Sequence, residues 1–259
     1  CFAHSVRCYV SPKISDIILM GSERIHLFDT PLLVSRNMGL AVDQRAAKRV
    51  MDILISGIGI IITSPIMLII AIAVKAYDRG PVFYFQDRLT LGGKPFKICK
   101  FRSMCVDSEK NGARLASKHD SRITPVGHVL RNLHLDELPQ LFNVFKGDMS
   151  LVGPRPERES IMLEYEKELP EFYYRLKVKA GLTGYAQVYG KYNTTPYDKL
   201  KLDLFYIENY SFLLDIKLIF MTVKIFFQKE VSEGVDDRQV NALKDSGKNA
   251  GVSENKTEE

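Results

Sequence analysis

Asp136 and Glu137 stand side by side in LHLDELPQLFNVFKGDMSLVGPRP, residues 133–156, with Pro139 just after them and Pro154-Arg155-Pro156 closing the stretch. Two adjacent carboxylates among basic residues suit the handling of phosphate. One can attack phosphorus or bind Mg²⁺ while arginines and lysines hold the phosphate oxygens. Arg155, between two prolines, is a guanidinium on a stiffened backbone and can grip a phosphate with two parallel hydrogen bonds. Lys100 and Arg102, and Arg131 five residues before Asp136, can add positive charge. Each feature also has a plain alternative. Asp-Glu before proline is a common helix start that complements the dipole, Arg155 can sit in a surface turn, and single cations are commonly solvated or ion-paired. The histidines, His134 among them, follow no metal-ligand spacing.

The elements that must position these residues can be read from periodicity. Leu130, Leu133, Glu137, Leu138, Leu141, Phe142 and Phe145 recur at three- and four-residue intervals, which predicts a helical run over 126–145 with Glu137 on its apolar face. Asp136, Gln140 and Asn143 then fall on a neighbouring polar face. Pro139 predicts a helix start or bend there, with free N–H groups able to receive an anion. Upstream, GPVFYFQDRLTLGGKPFKICKFRSM alternates apolar and polar residues about Gly92-Gly93, as a β-hairpin would. Helical periodicity returns in ERESIMLEYEKELPEFYYRLK and in SFLLDIKLIFMTVKIFFQ, whose apolar content fits either a core helix or one lying partly in a membrane interface. The tail from Lys229 has no aromatic residue and many Gly, Ser, Asn and charged residues, a composition expected to be disordered.

Residues 53–74 contain no charge and are long enough to cross a hydrocarbon core of about 30 Å as a helix. Ser64-Pro65 near the middle predicts a kink. Basic residues flank both ends, Arg45, Lys48 and Arg49 before and Lys75, Arg79 and Arg88 after, so the charge bias that orients a crossing is missing. That symmetry suits a re-entrant hairpin; a straight span and a buried core helix are the other two readings. With 259 residues and 46% apolar content the chain can bury one good-sized core. Its net charge is +5, and because the tail from Lys229 holds five basic and eight acidic residues, the remainder carries +8. Nucleic acid, anionic lipid and a phosphorylated substrate all fit that charge; the apolar segment points to the last two. Cys1, Cys8, Cys99 and Cys105 show no paired spacing and read as reduced thiols. The chain opens CFAHSVRCYV, without a starting Met or a leader, and reads as part of something longer.

Taken in order, KRVMD, the Ser-Pro of the apolar segment, GPVFYFQDR, GKPFKICKFRSM, LDELPQLFNVFKGDMSLVGPRP, GLTGYAQVYG and LDLFYIENYSFLLDIKLIFMTV resemble the bacterial sugar transferase family, the monotopic phosphoglycosyl transferases. The resemblance runs from Lys48 to about Val223. It implies a mostly helical α/β monotopic membrane protein: a re-entrant membrane helix over 50–77, kinked at Ser64-Pro65 and anchored by Lys48 and Arg49, carrying a cytoplasmic catalytic body with amphipathic interfacial helices and a small β-hairpin. Residues 1–45 resemble the end of a preceding Rossmann-like domain with its linker, 46–228 the catalytic domain and 229–259 a tail. The implied reaction transfers a sugar 1-phosphate from a UDP-sugar to polyprenyl (undecaprenyl) phosphate at the bacterial inner membrane, early in surface-glycan synthesis. UMP leaves through an aspartyl-phosphosugar intermediate. In this resemblance Asp136 is the nucleophile and Glu137 the neighbouring carboxylate binding Mg²⁺, with Asp136 beside the metal. Arg155 contacts phosphate, and Lys100, Arg102, Arg131, Gln187 and Asp203 match further active-site or structural positions. The implied partners are the UDP-sugar, polyprenyl phosphate and membrane lipid, not nucleic acid, and homo-oligomers are left open. Ala180, Tyr185, Thr90 and His134 depart from the family pattern, which has Pro, Trp, Gly and Ser there. Two rivals stand beside this reading: a membrane-anchored, metal-dependent phosphodiesterase with water as acceptor, and a non-catalytic membrane scaffold whose basic surface reads anionic lipid.

Overall fold

The computed structural model describes residues 10–27, 30–34, 39–106, 120–190 and 194–226. The tail expected to be disordered and nearly all of the strand-like VRCYV lie outside the described residues. Before the long apolar segment come a short helix, α1 (Ile14–Met20), and an antiparallel hairpin of β1 (Glu23–Leu27) and β2 (Thr30–Val34). Ile14 and Ile17 of α1 enter the main core.

The apolar segment lies within α2 (Val42–Asp78), a single helix of 37 residues that begins well before the expected residue 50. It is, among the described residues, the one helix long and apolar enough to cross a membrane. Pro65 cannot donate to the carbonyl of Ile61, yet the helix continues through it. The Ser64 hydroxyl takes over that duty, donating to the Ile61 carbonyl at 2.8 Å, and the Thr63 hydroxyl donates to that of Gly59 at 2.7 Å.

One side of α2 is docked on the body from its first turns to its last. Buried Lys48 donates to Asp215 at 2.5 Å and to the Tyr206 hydroxyl at 3.1 Å. Buried Asp52 accepts from the Ser150 hydroxyl and the Leu151 N–H, each at 3.0 Å. The Arg49 guanidinium donates to the carbonyls of Val144 and Phe145 at 2.8 Å. Further along, Met67, Ile70 and Val74 pack with Phe101 and Leu130, and Asp78 ends the helix in an ion pair with Arg102. Lys48 and Arg49, expected as membrane anchors, are thus turned into the protein and tie the helix to its own body. The opposite side is bare hydrocarbon: Ile58, Ile61, Ile62, Leu68, Ile69 and Ile72 are all exposed.

The body begins with the expected hairpin. β3 (Phe83–Leu89) and β4 (Pro95–Phe101) pair antiparallel with Tyr84 opposite Lys100, and the turn passes through Gly92 and Gly93 at φ +68° and +74°, a backbone that favours glycine. Then follow α3 (Pro125–Asn132), α4 (Gln140–Lys146), β5 (Ser150–Val152), α5 (Glu159–Glu168), a 3₁₀ stretch at Pro170–Lys177, and β6 (Gly181–Thr183), parallel to β5. The chain closes with α6 (Tyr185–Tyr189), α7 (Pro196–Glu208) and α8 (Phe212–Phe226). Val144, Met149, Val152, Phe172, Leu200, Leu204 and Leu218, all fully buried, form the centre of the core. The mostly helical α/β character expected from the sequence is present, with three two-stranded sheets among the described residues where one hairpin was expected. α8 is two-faced: Asp215 and Leu218 are fully buried while Phe212, Leu213, Phe220 and Val223 are exposed.

Candidate active site

The helical run expected over 126–145 is broken, and the break makes the site. α3 stops at Asn132, and His134 turns the backbone into the left-handed region at φ +52°. A 3₁₀ turn, Leu135–Glu137, carries the two carboxylates, and Pro139 sits at the N-cap of α4 with φ −62°. The helical phase is therefore reset five residues before Pro139, and the predicted faces exchange in part, although Leu130 and Leu141 stay buried as expected. Asp136, expected on the polar face, is 9% exposed, while Leu133, Phe142 and Phe145, expected inside, are 57%, 46% and 47% exposed.

The two carboxylates have different surroundings. Glu137 Oε1 accepts from Lys100 Nζ at 2.6 Å and from Arg155 Nη2 at 2.9 Å. Burial pushes its carboxyl up, but Arg155 and Lys100 together outweigh this and hold it well below the usual carboxylate range. Asp136 has no hydrogen bond or ion pair among the described residues. Burial pushes its carboxyl above the usual range and the charge of Glu137 adds to this, against the opposing pull of Lys100, Arg131 and His134. Arg131 is fixed by its Nε, which donates to the Ser103 hydroxyl at 2.9 Å.

Arg155 points at Glu137 because its backbone is pinned. Prolines 154 and 156 have no N–H to give, and each carbonyl from 154 to 157 is taken by a different donor. Gly181 N–H reaches Pro154 O at 2.9 Å, Arg175 Nη2 reaches Arg155 O at 3.0 Å, Arg88 Nη1 reaches Pro156 O at 3.1 Å, and Leu89 N–H reaches Glu157 O at 3.0 Å. Just before this turn, a Cβ on Gly153 would lie 2.4 Å from the Lys179 carbonyl oxygen, so glycine is required for β5 and the approach to β6 to close.

Of the residues singled out in the sequence, the structure brings together Asp136, Glu137, Lys100 and Arg155, with Arg131 close enough to bias Asp136. Three others have partners away from the pair. Arg102 is committed to Asp78. Gln187 donates to the Leu182 carbonyl at 3.3 Å. Asp203 is buried against Arg175 at 2.8 Å. Arg175 and Glu157 went unnoticed in the sequence, and Arg88 was read there only as a basic flank of the apolar segment. The hints there were a charge inside the apolar FYYRL and an acidic residue directly after Pro156.

A sequence profile of the family described as "Bacterial sugar transferase" matches residues 43–229. The chain belongs to that family. It is 46% identical over 180 residues to a UDP-N-acetylgalactosamine-undecaprenyl-phosphate N-acetylgalactosaminephosphotransferase of Aeromonas hydrophila, covering 68% of this chain and 43% of the relative. A UDP-glucose:undecaprenyl-phosphate glucose-1-phosphate transferase of Klebsiella pneumoniae is 43% identical over 208 residues, 78% of this chain and 43% of the relative. One with the same name from Caulobacter vibrioides is 37% identical over 229 residues, 83% of this chain and 84% of the relative. The chain thus spans less than half the length of the first two relatives and most of the third.

As a bacterial sugar transferase the chain offers a buried carboxylate without a partner among the described residues, next to one that is saturated on one oxygen by cations. Among the described residues no three His, Cys, Asp or Glu side chains converge as a ligand set. Mg²⁺ does not need one, since it takes one or two carboxylates and fills its shell with water and phosphate oxygens. Both hydrogen bonds to Glu137 land on Oε1. Oε2 and the Asp136 oxygens are therefore a donor set of the right size and hardness.

Proposed function

We propose that this bacterial sugar transferase moves a sugar 1-phosphate from a UDP-sugar to polyprenyl phosphate, releasing UMP, at the cytoplasmic face of the bacterial inner membrane. The observation that carries the reading is the division of labour in the carboxylate pair. Asp136 is buried, unpaired and raised in basicity, as a nucleophile toward phosphorus should be, while Glu137 is occupied by Lys100 and Arg155. The names of the relatives support the donor and acceptor classes; because those names differ in the sugar, the donor is assigned only as a UDP-sugar.

In the first step an Asp136 carboxylate oxygen bonds to the β-phosphorus, and the bond from that phosphorus to the oxygen bridging the two phosphates breaks. UMP leaves with the electron pair. Lys100, Arg131 and Arg155 take up the charge on the phosphate oxygens, Arg155 with its forked guanidinium. In the second step a phosphate oxygen of polyprenyl phosphate attacks the same phosphorus, frees the Asp136 carboxylate and leaves the sugar joined to the lipid through a diphosphate. Mg²⁺, held by Glu137 Oε2 and Asp136, would offset the charge of the donor diphosphate when bound.

The membrane part of the proposal is that α2 dips into the lipid and returns to the side it came from. Its ends at Lys48 and Asp78 dock on one body, its bare face is apolar, and α8, α3 and α4 also carry exposed apolar residues that can meet lipid. This puts a soluble donor and a lipid-borne acceptor within reach of one aspartate.

UMP release from a panel of UDP-sugars tests the reaction, with and without polyprenyl phosphate, in wild type and Asp136→Asn. Expected are lipid-dependent turnover with at least one donor, its loss in the variant, and a sugar-phosphate mass adduct on wild type given donor alone. Turnover that persists without the lipid acceptor would make water the acceptor, and full activity in Asp136→Asn would exclude the covalent route.

A further inference from the structure

Beneath the Pro154–Pro156 turn, on the side away from Glu137, lies a second charge cluster that the steps above do not use. Arg175 and Asp203 are 2% and 1% exposed and pair at 2.8 Å. Arg175 Nη1 lies 3.6 Å from Glu157 Oε1, and Glu157 is paired in turn with Lys199 and, at 3.8 Å, with Arg88. Burial pushes the Glu157 carboxyl up, but Lys199 and Arg175 outweigh it and keep it ionised. Burying several charges in a core is a poor way to gain stability, since each loses several kcal/mol of hydration and a well-packed apolar set would do as well. The arrangement fits another role.

Position 155 is the freest joint in its turn. The neighbouring prolines have fixed φ, and Pro156 holds the ψ of Arg155 extended, which leaves φ of Arg155 as the open backbone rotation that aims its side chain. That rotation also swings the Arg155 carbonyl, and Arg175 Nη2 holds this carbonyl at 3.0 Å. We propose that Arg175, itself held by Asp203 and Glu157, is a positioning residue: by fixing the Arg155 carbonyl it sets the Arg155 guanidinium over Glu137 and the substrate phosphate. This rests on the reading of Arg155 as a phosphate contact in the transfer reaction. It assigns Asp203 to the support of Arg175 and not to substrate.

A double-mutant cycle tests it, with kcat/KM for UMP release as the measure and the thermal midpoint as the check on folding. Arg175→Lys keeps the charge, but a single ammonium cannot stand in for both Nη2, which meets Asp203 and the carbonyl, and Nη1, which faces Glu157. It is expected to lower kcat/KM at least tenfold in the wild-type background and less than twofold when Arg155 is already alanine. Equal losses in both backgrounds would mean that Arg175 supports the fold at large, and an undiminished rate would mean that it positions nothing; either result overturns the proposal. If Arg175→Lys does not fold, Asp203→Asn, which loosens Arg175 without removing it, takes its place with the same expectations. If turnover in Arg155→Ala is too slow to follow, the affinity for UMP measured by calorimetry replaces kcat/KM in the same cycle. Wild type and Asp136→Asn run alongside, so that a failure of the transfer reading shows there and a failure of the positioning role shows in the cycle alone.

Discussion

An aspartate that is buried with no hydrogen-bond donor among the described residues costs the fold something, and that cost can be measured. The Asp136 carboxyl is raised in the folded protein, so the native state binds its proton more tightly than the unfolded chain does. Protonation therefore favours folding: the penalty is fully present above the raised value, shrinks as pH falls through it and is gone below the ordinary carboxylate range. Asp136→Asn removes the charge, so near neutral pH the variant is expected to be more stable than wild type by on the order of 1 kcal/mol, about 2–4 °C in melting temperature. The difference should fade on acidification, and a variant less stable than wild type at neutral pH would contradict the account. Since attack needs the ionised form, the acid limb of kcat/KM should lie above the range of an ordinary carboxylate. Residue types made this site legible, because adjacent carboxylates and an arginine between prolines need no structure to be noticed. Which carboxylate is buried was not legible, since it turns on His134 adopting a left-handed backbone, a habit that histidine has only weakly.

At the scale of elements, two positions that the sequence resemblance marks as departures from the family pattern meet. Ala180, where the family has proline, carries a backbone N–H that is buried ahead of β6, and it donates to the hydroxyl of Thr90 at 3.2 Å, where the family has glycine. Thr90 in turn donates to the Asp148 carbonyl at 3.0 Å, so one hydroxyl ties the turn of the β3–β4 hairpin to the chain ahead of β5 and of β6. The two residues depend on each other: a proline at 180 would have no N–H to give, and without the Thr90 hydroxyl the Ala180 N–H would lose this partner. Thr90→Val keeps the shape and removes the hydroxyl, and is expected to cost about 1–3 kcal/mol, the penalty for leaving a buried group unsatisfied. Adding Ala180→Pro to Thr90→Val should recover part of that loss in thermal melts, whereas Ala180→Pro costing as much in both backgrounds would deny the link. The hairpin itself was plain from alternation about Gly92-Gly93, a local signal. The partners of Thr90, Arg102 and Arg175 were not, because periodicity reports which face of an element is apolar and says nothing about which distant side chain will meet it.

For the whole molecule, the question is how a helix of 37 residues sits in a membrane. Laid straight it would measure about 55 Å, far more than a hydrocarbon core of about 30 Å. Length and hydropathy alone allow a simple crossing. The contacts favour the proposed return to one side, because a crossing puts the two ends in different compartments while Lys48 and Asp52 are bonded to Asp215 and Ser150 near one end and Asp78 to Arg102 near the other. Breaking either set to permit a crossing would strand charges that are now paired, and losing one partner of a buried pair costs about 3–5 kcal/mol. Single cysteines placed by Asp43→Cys and by Arg79→Cys, in a chain whose four native cysteines are serine, should therefore react with a membrane-impermeant maleimide from the same side. Both should label in inverted vesicles and neither in sealed right-side-out ones. Labelling of the two positions from opposite sides would require the docked contacts at one end to be absent in the membrane, and with them the shared surface on which Asp136 is held beside the lipid.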